Sequence, residues 1–113
     1  MNLKFTVESI GNIEKAKGDI PIENIIGDST ISTILLYITN GYVNEDGRVG
    51  TSKAVAQSIL SEYLVDHDKT DFLLEVTEEL VKAGFLDKSL DVEKLRQART
   101  NKAEQVNDSL DSL

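Results

Sequence analysis

Cysteine is absent from this chain of 113 residues. Disulfide staples, thiolate metal sites and thiol nucleophiles are therefore excluded, and the composition suits a reducing compartment. Positive charge is in short supply. Lys and Arg number 12 against 20 Asp and Glu, a formal charge of −8, and such a surface repels the phosphate lattice on which non-specific nucleic-acid binding depends. No apolar run is long enough for a membrane span, and Met1-Asn2-Leu3-Lys4-Phe5-Thr6-Val7 has no apolar core after its lysine, so it does not read as a signal peptide. Internal repeats and low-complexity blocks are also lacking. What is present is a 40% apolar content, enough for one compact core in one domain.

Along the chain the hydrophobic pattern is mainly helical. Leu3, Phe5 and Val7 alternate with Lys4 and Thr6, which predicts a short half-buried strand. Ile10 and Ile13 predict a short helix ending at Gly18, and Asp19 to Gly27, with Pro21 near its start, predicts one or two further turns. Ile31, Ile34, Leu35 and Ile38 mark a helix over Ser29 to Asn40, capped by Asp28 or Ser29 and stopped by a left-handed Asn40-Gly41. Leu36 and Tyr37 fill its other side, so this helix is expected to be central or to lie at an interface. Asn44-Glu45-Asp46-Gly47 between short apolar pairs predicts a tight ribbon.

Thr51 or Ser52 caps the next helix, with Val55, Ala56, Ile59, Leu60 and Tyr63 on one face and Ser58, Ser61 and Glu62 toward water. Another follows Asp68 or Thr70. It buries Phe72, Leu73, Val76 and Leu80, leaves Glu75, Glu78 and Glu79 outside, and ends in a Schellman motif with Gly84 left-handed and Phe85 folded back on Leu80. A last helix is predicted near Ser89, its charges matched to the macrodipole. The division is thus a helical domain over 1–96 and a polar tail over 97–113. The tail is frayed in the isolated chain, or its Ala103, Val106, Leu110 and Leu113 form an amphipathic helix in a partner's groove.

Candidate chemistry is sparse. His67, the single histidine, lies between Asp66 and Asp68 near several serines, but no Gly-x-Ser-x-Gly elbow accompanies it. Neither the Gly47 loop nor the loop from Asp66 fits the ligand positions of an EF-hand. Asp46 to Ser52 offers amides and Arg48 ahead of a helix but lacks the spacing of a P-loop. A helix-turn-helix reading fails on charge, because its second helix carries Lys53 at its start and then Gln57, Ser58 and Glu62. No cofactor, no metal, no nucleic acid and no enzymatic activity are expected.

The order of features is informative. A strand opening Met1-Asn2-Leu3-Lys4-Phe5 precedes an Ile/Leu-rich helix at 31–38 and a capped helix at 52–65. An amphipathic helix ending Glu78-Glu79-Leu80-Val81-Lys82-Ala83-Gly84-Phe85-Leu86 and a thin polar C-terminus follow. Over residues 1 to 95 this order resembles the tail assembly chaperones of long-tailed bacteriophages and prophages. It departs from them at Gly11, where the family has a longer first helix, and at the Asn44–Gly47 ribbon. The resemblance implies a non-enzymatic protein of the bacterial host cytoplasm that binds the tape-measure protein, recruits tail tube subunits and self-associates. Net negative charge would hold free subunits apart. The expected partner-binding residues are Ile31, Ile34, Leu35, Tyr37 and Ile38, which are not all expected to be buried within one monomer, with Val106, Leu110 and Leu113 in the tail. The alternatives are a helical adaptor or structural virion protein, and a transcriptional regulator.

Overall fold

The computed structural model describes residues 1–88. Five helices follow one another: α1 (Val7–Ala16), α2 (Ile22–Ile25), α3 (Ile31–Gly41), α4 (Lys53–Asp66) and α5 (Lys69–Lys82). The mainly α class expected from the periodicity is what the chain adopts. The predicted helix from Ser89, the boundary at residue 96 and the tail with Val106, Leu110 and Leu113 lie outside the described residues.

Four of the helices begin on a side-chain cap. The oxygens of Thr6, Thr30, Ser52 and Asp68 accept from the backbone N–H groups of Ser9, Thr33, Val55 and Asp71, satisfying donors that the first turn leaves without helical partners. Asp71 returns the bond to the Asp68 amide, completing a capping box. For α3 the cap is Thr30 rather than Asp28 or Ser29; Asp28 instead, two residues before the cap, accepts from the Thr30 amide at 2.9 Å. The exit of α5 follows the expected Schellman geometry. Phe85 N–H donates to Leu80 C=O at 2.9 Å, Gly84 N–H donates to Val81 C=O at 3.1 Å, and Gly84 has φ +87°.

The N-terminal strip makes a single bridge, Leu3 to Tyr42, and the ribbon makes one more, Val43 to Val49. Leu3 and Phe5 are buried as their alternation implies, but Val7 opens α1 and is 81% exposed. Gly47 at φ +86° turns the ribbon, with Asn44 N–H donating to Arg48 C=O at 2.8 Å.

Gly41 differs from expectation. It is the last residue of α3 and is not among the left-handed glycines, which are Gly18, Gly47, Gly50 and Gly84. A Cβ built on it would fall 2.5 Å from Cε1 of Phe5. The residue is glycine because an aromatic ring lies against its backbone, and its C=O accepts from Lys4 N–H at 2.8 Å. That contact docks the N-terminal strip on the end of α3.

The core forms where α3 packs on α1 and α4, with Phe72, Val76 and Leu80 of α5 completing it. A row of rings runs through it. Phe5 meets Tyr37 edge-on at 6.1 Å, Tyr37 lies 6.5 Å from Phe72, and Phe72 meets Tyr63 edge-on at 5.9 Å; pairs of this geometry add about 0.5–1.5 kcal/mol beyond burial. Ile13, Ile25, Ile34 and Ile38 fill the space around the rings, each contributing about 1.5–3 kcal/mol on leaving water.

Candidate functional site

Four of the α3 residues expected to meet a partner, Ile34, Leu35, Tyr37 and Ile38, are core. Ile34, Tyr37 and Ile38 have no exposed surface and Leu35 is 7% exposed, whereas Ile31 at the start of α3 is 46% exposed. The helix is apolar on most sides because α1, α4 and the Phe5 strip surround it. Its surplus hydrophobicity is consumed within the monomer.

An open groove of 330 Å³ lies between the N-terminal strip, the end of α3 and the outer face of α4. Its floor is formed by Met1, whose side chain is almost wholly buried, and by the half-buried Tyr42, Ile59 and Tyr63, and its rim by the exposed Asn2, Glu62, Asp66 and His67. The periodicity of α4 put Ile59 and Tyr63 with Ala56 and Leu60 on one buried face. Only Ala56 and Leu60 are fully buried, Val55 is 47% exposed, and Ile59 and Tyr63 are left to line the groove.

One wall is held rigid. The His67 ring stacks on Tyr63 with centroids 4.2 Å apart and planes 10° from parallel. His67 N–H also donates to the Tyr63 C=O at 3.1 Å, closing α4. The imidazole Nδ1 lies 3.2 Å from the same carbonyl oxygen, so the ring is used for packing and capping. The Tyr63 hydroxyl donates to Oε2 of Glu75 while the N-terminal ammonium donates to Oε1 at 2.9 Å. Burial first and the Glu75 carboxylate second push the Tyr63 phenol well above its ordinary pKa. Glu75, expected on the solvent face of α5, instead fastens that helix to the groove's floor.

Elsewhere the polar groups hold the fold together. Lys17 Nζ donates to Oδ2 of Asp28 at 2.8 Å and to Oγ1 of Thr33 at 2.9 Å, and the Thr33 hydroxyl donates to the same Asp28 oxygen at 2.8 Å. The Lys17 ammonium, then the Thr30 amide and the two threonine hydroxyls, keep the Asp28 carboxyl well below the usual carboxylate range. This clamp joins the end of α1 to the start of α3. Arg48, considered for phosphate, is bound by its own ribbon, with Nε donating to Asp46 Oδ2 at 2.7 Å. A polar cleft of 340 Å³ near Thr6, Asn12 and Asn40 is lined largely by groups with partners inside the chain. Thr6 pairs with Ser9, and both Thr39 and Asn40 donate to the Leu36 carbonyl.

Among the described residues no group of three or more His, Asp or Glu is placed to hold a metal ion. No helix among them is long and apolar enough to cross a membrane. Comparison of the chain with protein-family models, with curated proteins and with solved structures gives no match.

The sequence did carry one sign of the groove. Glu62 and Asp66 are four residues apart, so they share a helix face, and Ile59 precedes them on the same side. What periodicity lacked was the knowledge that Met1 and Tyr42 come to lie beside that face.

Proposed function

We propose that this chain is a tail assembly chaperone: it binds the tape-measure protein, and through it tail tube subunits, in the cytoplasm of a bacterial host, and makes or breaks no covalent bond. The observation that carries the reading is the groove, an apolar floor with an acidic rim on a small helical protein whose whole chain has a formal charge of −8. A protein that shields a long amphipathic helix needs apolar surface to bind it and charge to keep its own copies apart. Recognition is assigned to the Met1–Tyr42–Ile59–Tyr63 floor in place of the buried face of α3. The order of elements that resembles the family supports the same reading.

Co-expression tests it. A tape-measure protein co-expressed with this chain is expected to be insoluble alone and to be recovered in a soluble complex when both are made. A tape-measure protein that stays insoluble, or is soluble without help, would overturn the reading. Recovery of a complex with a different helical protein of the same virion would favour a structural adaptor instead.

A further inference from the structure

Resting on the groove as the client site, we infer that its occupant is a basic amphipathic helix. An apolar side chain of that helix packs on Met1, Tyr42 and Ile59, while a lysine or arginine from the same helix lies between Glu62 and Asp66.

Glu62 and Asp66 line the groove and are exposed, and their carboxylates make no hydrogen bond or ion pair with another described residue. Like charges four apart on a helix repel and destabilise it. Asp66 is also the last residue of α4, whose final turn contains no basic residue. A carboxylate there meets the negative end of the helix dipole. The nearest cation in the sequence, Lys69, is directed elsewhere, with Nζ donating to the Ser29 carbonyl at 2.9 Å. Two placements that cost the free protein stability thus stand together on the edge of an apolar concavity, where a positive charge from outside would relieve both. Departures from local optimality of this kind concentrate at functional sites.

An ammonium or guanidinium suits the pair better than a divalent ion, because the rim supplies no set of three ligands and a metal bound to protein oxygens requires several. The apolar floor requires that the cation arrive with a hydrophobic neighbour, which one face of an amphipathic helix provides at a spacing of three or four residues. The Tyr63–His67 stack fixes the wall against which that helix would lie.

The test uses the full chain and synthetic helical peptides of leucine and lysine, with a counterpart carrying glutamate at every lysine position. Binding is followed by NMR on the Met1 and Ile59 methyl groups and the Tyr42 ring. The lysine peptide is expected to shift these signals and the glutamate peptide to leave them in place. In the doubly substituted Glu62→Gln/Asp66→Asn protein the affinity for the lysine peptide should fall about tenfold, the combined effect of two exposed ion pairs. The same variant, freed of its repulsion, should melt at a higher temperature than the parent, which also verifies that it folds. Equal binding of both peptides, shifts confined to α5, unchanged affinity in the double variant, or a lower melting temperature would each overturn the inference. The peptides contain no tape-measure sequence, so the two readings fail separately. Peptide binding with no rescue of the tape-measure protein removes the chaperone and keeps the groove's chemistry; rescue that is indifferent to Glu62 and Asp66 does the reverse.

Discussion

Replacing Gly41 with alanine sets two opposed effects against each other. Alanine is a better helix former than glycine by about 1 kcal/mol in a helix interior, and Gly41 is helical, so propensity alone predicts a more stable protein. The new methyl group, however, would sit 2.5 Å from Cε1 and 3.0 Å from Cδ1 of Phe5, well inside the ~3.5–4.0 Å at which carbon atoms attract. The ring has little freedom to retreat, since Phe5 is 5% exposed and packs edge-on against the buried Tyr37. Overpacking of this kind costs about 1–3 kcal/mol. With the ring confined, the steric cost outweighs the propensity gain, and Gly41→Ala should destabilise the protein by up to about 2 kcal/mol, the difference between the two effects.

Urea unfolding followed by far-UV circular dichroism measures this directly, and a double-mutant cycle with Phe5→Leu identifies the cause. With the smaller side chain at position 5, Gly41→Ala should cost less or become stabilising, giving a coupling of about 1 kcal/mol or more. Two results would refute the reasoning. If the single variant gains stability, the ring does not confine position 41. If the cost is the same in both backgrounds, the penalty lies in the backbone, as it would for a left-handed helix stop.

Tyr37 is fully buried with a hydroxyl that has no hydrogen-bond partner among the described residues; burial, aided by the charge of Asp28, pushes its pKa up to about 12. Tyr37→Phe should leave stability unchanged or raise it by about 1 kcal/mol, and a clear loss in urea unfolding would reveal a hidden partner. The Asp28 carboxyl is held below its unfolded pKa of about 3.9, so its contribution is fully present above that pH and is lost as pH falls through the lower folded value. Asp28→Asn should therefore lower the urea midpoint at pH 7, with the gap from the parent narrowing in strong acid; a gap independent of pH would exclude the charge as the cause. Gly84 at φ +87° ends α5, and Gly84→Ala should cost about 1–2 kcal/mol, with Gly84→Asn less harmful; equal stability of all three by thermal melting would contradict a left-handed requirement.

Local rules were enough wherever a feature depended on residues close in the chain. Caps act within three residues and the Schellman exit within six, so the starts of α4 and α5 and the turn at Gly84 were readable from serine, aspartate and glycine in their places. The spacing of isoleucines along α3 likewise gave a helix, because a 3.6-residue period is a property of one segment. Periodicity cannot say what an apolar face lies against. That is why Ile34, Leu35, Tyr37 and Ile38 read as a partner surface while the folded chain uses them as its own core. Gly41 and Glu75 failed for the same reason: one answers to Phe5, thirty-six positions earlier, and the other to the Met1 ammonium, 74 positions earlier. The groove belongs to this second class, assembled by a strip, a helix end and a helix face whose proximity is set by long-range packing, where the energy of one contact depends on the placement of all the rest.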